Sequence, residues 1–166
     1  MPGKVVSFSD YAKTPRKEKE VKQNMATVTN GYIFSLRMRQ DDGSVIDYLA
    51  QLEAIDVPAK VGIYVQRLIK KLSATYAEIE TARVDLVNKL GEKGEDGKAR
   101  LYLPGNKEGM PVSPNYVQFM QEFTELMAET TDIEVKPVIL PGDTVAPSLT
   151  RLLTIFELFV IVEGTE

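Results

Sequence analysis

The chain has 166 residues, 43% hydrophobic and 27% charged, with a net charge of -4 and no cysteine, histidine or tryptophan. That size and composition suit one globular domain with a real core. The missing Cys and His remove disulfides, thiol chemistry, imidazole-based triads and ordinary zinc sites, so any catalysis would rest on Asp, Glu, Lys, Tyr or an oxygen-ligated metal.

The acidic balance argues against general nucleic-acid binding. The start lacks the apolar stretch of a signal peptide, and apolar runs stay far below the roughly 18 residues of a membrane span. The expected product is soluble and made in the cytoplasm.

Residues 1–26 are polar, carry Pro2 and Pro15, and read as an extended arm. Residues 1–25 hold six cations (Lys4, Lys13, Arg16, Lys17, Lys19, Lys22) against three anions (Asp10, Glu18, Glu20), a local charge of +3. The interleaved Glu18 and Glu20 weaken a phosphate-binding role. Docking to a protein surface is the preferred reading, through Phe8, Tyr11, Lys13, Arg16, Lys17, Lys19 and Lys22.

Residues 27–166 are expected to form a single α+β domain. Thr27-Val28-Thr29 reads as a short strand. Tyr32 to Met38 fits strand or helix, being too short for periodicity to decide. Asp41-Asp42-Gly43-Ser44 is a turn, followed by a predicted helix from Ser44 to Ala54 with Ile46, Leu49, Leu52 and Ile55 at helical spacing.

From Ala59 to Leu90 there is no proline. Val65, Leu68, Leu72, Thr75, Ile79, Ala82 and Leu86 alternate at spacings of four and three, a heptad seam on one long helix. Gly91 should end it as a left-handed cap. A Gly-rich charged segment follows, with Ala99 to Leu103 as a small flap strand.

Ser113-Pro114 predicts a capped helix start. Tyr116, Phe119, Met120, Phe123, Leu126 and Met127 then form one apolar stripe, expected as core against the upstream seam in an antiparallel hairpin. Residues 134–140 read as one strand, with Pro137 marking an edge or bulge. A short helix from Ser148 to Phe156 and a strand over residues 158–163 complete the chain.

The motifs that suggest chemistry are weak. Gly91 to Lys98 has five residues between Gly91 and Gly97 where a phosphate loop has four, and Ala99 replaces its Ser or Thr. Neither Asp41-Asp42-Gly43-Ser44 nor Glu95-Asp96-Gly97 extends into a twelve-residue calcium loop. Both read as turns. Glu78, Glu80, Arg83, Asp85 and Lys89 read as a solvated helix face with an Asp85–Lys89 pair. No cofactor or metal and no catalytic residue is expected.

The stretch Glu80-Thr81-Ala82-Arg83-Val84-Asp85-Leu86-Val87-Asn88-Lys89-Leu90 leads into Gly91-Glu92-Lys93-Gly94-Glu95-Asp96-Gly97. With the opening Thr27-Val28-Thr29-Asn30 and the later Phe123-Thr124-Glu125-Leu126-Met127, it resembles a family of short tailed-phage proteins of uncharacterised function. The resemblance runs from Thr27 to about residue 163; the arm and the segment from Leu101 to Met110 depart from it. It implies a phage origin in the structural-gene region and offers no catalytic residues.

The expectation is therefore a long antiparallel helical hairpin, Pro58–Leu90 with Ser113–Thr130, packed on a small sheet behind the arm. Function is expected as a non-catalytic virion or virion-assembly protein. Its expected partners are other phage structural proteins, with copies of itself as a further candidate. The alternative is a host-directed effector that binds and inhibits a bacterial enzyme.

Overall fold

The structure, a computed structural model, describes residues 24–105, 109 and 111–164. The arm residues Phe8, Tyr11, Lys13, Arg16, Lys17, Lys19 and Lys22 lie outside the described residues.

The protein is α+β, a helical hairpin packed on short β-ladders. Strand β1 (Asn24–Thr29) pairs antiparallel with β6 (Thr130–Val135), from Asn24↔Val135 to Thr29↔Thr130. Period-two alternation buries Val28, Ile133 and Val135 while Met25 faces out. β1 thus takes in Asn24 to Ala26, which the sequence had placed in the arm.

Thr29 ends the strand and caps helix α1 (Asn30–Ser35), its hydroxyl accepting from the Tyr32 amide at 3.1 Å. Asn30 is buried and fully used. Its Nδ2 donates to the Leu126 carbonyl at 3.0 Å, and its Oδ1 accepts from Thr131 Oγ1 at 3.0 Å. Tyr32 to Met38, open between helix and strand, divides between the two: α1 ends and β2 (Arg37–Arg39) begins.

The expected helix from Ser44 starts later. Val45–Asp47 forms β3, paired with β2 across a turn in which Gly43 has φ +84°. Asp47 then caps α2 (Tyr48–Glu53) by accepting from the Ala50 amide. The β-branched pair Val45-Ile46 favours the strand, and the Asp47 cap sets the helix boundary.

Helix α3 (Ala59–Leu90) is the continuous 32-residue rod expected, about 48 Å long. Val65, Leu68, Leu72, Ile79 and Leu90 are buried along it, and Thr75, Ala82 and Leu86 are half-buried. Gly91 follows, but with an extended backbone (φ -77°) instead of the left-handed one expected. Glycine is needed there for close approach: a Cβ would sit 2.5 Å from the Val87 carbonyl oxygen and 2.7 Å from that of Arg100.

The Gly-rich segment is a hairpin of β4 (Glu92–Lys93) and β5 (Ala99–Arg100), turned at Gly97. Ser113 does not cap the next helix. It is fully buried, and its Oγ accepts from the Tyr102 amide at 2.8 Å, pinning the segment after the flap. Helix α4 (Tyr116–Ala128) starts later, without a side-chain cap. Asn115 instead reaches across the hairpin, its Nδ2 donating to the Leu90 carbonyl at the end of α3.

The predicted strand over 134–140 is two strands. Lys136-Pro137 separates β6 from β7 (Val138–Leu140), because Pro137 cannot donate to a continuing ladder. β7 pairs in parallel with β8 (Val160–Val162) after a crossover through α5 (Thr150–Ile155). Among the described residues the expected small sheet is thus four separate two-stranded ladders. A shared core that includes Val28, Ile33, Leu36, Leu49, Leu52, Ile133, Val138, Leu140, Phe156 and Phe159 joins the β1–β6 and β7–β8 ladders to the first half of α3.

Candidate functional site

The core is concentrated at one end of the hairpin. Beyond Ile79, only Leu90 on α3 and Phe119 on α4 are buried. The far half of the hairpin is two helices thick, and it exposes Val84, Val117 and Met120. The stripe expected as core is therefore mixed: Phe119 is buried, Tyr116, Phe123, Leu126 and Met127 are half-buried, and Met120 faces out.

A ladder of rings fastens this half. Phe119 stacks on Phe123 at 5.6 Å between centroids, Phe123 meets Phe34 edge-on at 5.9 Å, and Phe34 stacks on Tyr76 at 5.8 Å. The Arg37 guanidinium lies 5.3 Å from the Tyr76 centroid and bonds Asp47 at 3.1 Å. Beside it Arg83 holds Glu80 through two contacts of 2.7 and 2.9 Å.

These groups have the electrostatics of a structural knot. The Arg83 hydrogen bond holds the Glu80 carboxyl below its ordinary range and raises the guanidinium in turn. Burial, then the Glu80 charge, pushes the Tyr76 phenol up. Tyr32, whose hydroxyl donates to the Ile155 carbonyl at 2.7 Å, is raised to about 12, chiefly by burial and then by Glu157. Every one of these shifts moves its group away from neutrality, the opposite of the tuning that acid–base catalysis needs.

The turns expected to be only turns use their acids locally. Asp42 accepts from the Ser44 amide and hydroxyl, which lower its carboxyl pKa. Asp96 accepts from the Lys98 amide and pairs with Arg100 at 2.7 Å. Among the described residues no group of three or more acids is arranged to hold a metal ion, and no helix is long and apolar enough to cross a membrane.

Two surfaces on the hairpin stand out. The first is a cleft of about 380 Å³ between the far half of α3 and α4. Its floor is Ala82, Leu86 and Leu126, and its walls carry Asp85, Glu122, Glu125 and Glu129. Lys89 is the cation among these lining residues. It does not form the expected pair with Asp85; it reaches across the hairpin to Glu122 at 3.3 Å. Gln118 first, then Lys89, hold the Glu122 carboxyl below its ordinary range.

The second is the outward face of the first turns of α3, a shallow depression of about 650 Å³ centred on Ile63, which is 55% exposed. Ala59, Gly62, Gln66 and Lys70 share that stripe, opposite the buried Val65, Leu68 and Leu72. Arg67 borders it, its guanidinium 5.7 Å from the Tyr64 centroid. Lys71 is engaged elsewhere, donating to the Glu134 carbonyl.

A third surface lies on the β7–β8 ladder. Ile139 and Ile161 stand in register on its outer side, 36% and 49% exposed, with Leu158 53% exposed.

None of the three surfaces was singled out from the sequence. The signals were there: acids at 122, 125 and 129 fall on one helical stripe, and residues 59–71 hold four cations and no acid. Comparison with protein-family models, with curated proteins and with solved structures finds no match for this chain.

Proposed function

We propose that the protein is a non-catalytic component of a tailed-phage virion or of its assembly, binding larger structural proteins of the capsid, connector or tail. The observation that carries the binding role is the outer face of the β7–β8 ladder. Parallel strands are normally covered on both sides. Here the inner side packs Val138, Leu140 and Val160 into the core, while Ile139 and Ile161 pair in register and point outward. An apolar patch of this kind is a surface that a partner covers.

The shifts at Tyr32, Tyr76, Glu80 and Arg83 support a role without acid–base chemistry. The phage assignment rests on the resemblance over residues 27–163, which also makes the virion the proposed location after synthesis in the host cytoplasm.

Mass spectrometry of extensively purified particles tests this reading. Stoichiometric presence, lost or reduced on Ile161→Asp, is the expected result. Absence from particles, with capture of a host enzyme from infected cells, overturns it in favour of a host-directed effector.

A further inference from the structure

The two surfaces of the hairpin are complementary in charge. Residues 59–71 hold four cations and no acid, and of these Arg67 and Lys70 line the Ile63 face. The far half, residues 72–90 with 116–129, carries Glu78, Glu80, Asp85, Glu122, Glu125 and Glu129 against Arg83 and Lys89, a charge of -4. One surface is the outward helix face with an apolar centre at Ile63 and with Arg67 and Lys70 beside it. The other is a concave groove with an apolar floor at Leu86 and Leu126 and a rim of Glu125 and Glu129.

We propose that the chain associates with itself head to tail, the Ile63 face of α3 in one copy seated in the groove between α3 and α4 of the next. The opposite charges of the two surfaces point to a second copy as the occupant, and the contact is between chains because one chain cannot fill its own groove. Ile63 and Leu86 lie on the same unbroken helix, 23 residues and about 35 Å apart. The stripe from Ala59 to Lys70 is about 17 Å long and lies across a groove whose acids span about 10 Å of α4. The contact is heterologous: each copy offers one face and one groove, so it propagates into a closed ring or an open filament. Its rim charges are solvent-exposed, so association is weak and salt-dependent. The proposal stands apart from the phage reading and from the β7–β8 patch.

The test is sedimentation velocity on the full chain at about 100 µM, in about 50 mM and about 500 mM salt. The expected result is species larger than one chain at low salt that dissociate at high salt. The variant pair E125K/E129K and R67E/K70E decides the geometry. Each alone has one intact surface and stays monomeric. Mixed, the two associate in alternation, since the unaltered face of one meets the unaltered groove of the other and the two reversed surfaces are again opposite in charge. Circular dichroism checks that both variants fold, and the milder E125Q/E129Q and R67Q/K70Q pair, read by the loss of salt dependence, serves if either does not. A monomeric wild type at low salt overturns the proposal, as does association that survives either charge reversal, which would place the contact elsewhere, the β7–β8 face included. A mixture that stays monomeric overturns it too.

Discussion

Asn30 is the side chain on which most of the strand-to-hairpin joint converges. It is buried at the end of β1, and both ends of its amide are used, toward α4 and toward β6. Asn30→Ala leaves the Thr131 hydroxyl and the Leu126 carbonyl without that partner, at a cost of about 1–3 kcal/mol. Urea unfolding should show it, and a Thr131→Val background should reduce the increment, since the two residues share one bond.

Tyr32 makes a pH-dependent contribution. Its phenol titrates near 10 when unfolded and at about 12 in the fold, so the folded state holds the proton more tightly. That stability is complete below pH 10 and is lost as pH rises through about 12. Tyr32→Phe gives up the bond to the Ile155 carbonyl but should flatten the fall in stability between pH 10 and 12. An unchanged alkaline slope in the variant would show that other groups carry it. Glu80 works in the other direction. Its lowered carboxyl stabilises above the unfolded value and loses that as pH falls through its folded one, an effect small at this degree of exposure.

Among the elements, α3 was legible because nothing competes with its pattern: it has no proline and its apolar residues keep one seam. The short elements were harder, because local and long-range effects are of similar size. Ser113-Pro114 has the chemistry of a helix start, yet burial beside Tyr102 gives its hydroxyl a better use. The run from Glu134 to Leu140 has the alternation of one strand, but Pro137 divides it between two ladders whose partners lie at opposite ends of the chain. Gly91 ends the helix as expected, for a different reason: two carbonyl oxygens leave no space for a Cβ. The groove was hidden because its walls come from helix segments about 40 residues apart in sequence, and periodicity within one segment does not say which acids will face each other.

The ring ladder gives a direct test at this scale. Phe34 is the link between α4 and α3, touching Phe123 on one side and Tyr76 on the other. Phe34→Ala should cost about 2–4 kcal/mol, near the lower range for a large ring because the side chain is only half-buried. Near-ultraviolet circular dichroism should lose intensity together with stability. Phe34→Leu should recover part of the stability without the ring signal.

For the whole molecule, the uneven core implies uneven resistance to opening. The first half of α3 packs under α1, α2 and the ladders, whereas residues beyond Ile79 have α4 as their main cover. Hydrogen exchange should therefore be faster in residues 80–90 and 116–128 than in residues 64–76. Uniform protection along the rod would mean that the hairpin opens only by global unfolding.

The unbroken course of α3 also makes the molecule a ruler. Its basic face and its groove sit on one rod with no proline or kink between them, so their separation and relative azimuth are set by residue count. Each residue inserted between Leu72 and Ala82 lengthens the rod by about 1.5 Å and turns one face by about 100° against the other. A seven-residue insertion adds about 10 Å and leaves the two faces aligned to within about 20°, whereas a two-residue insertion swings them to nearly opposite sides. Spacing along any assembly built on these two faces is thereby written into the length of a single helix.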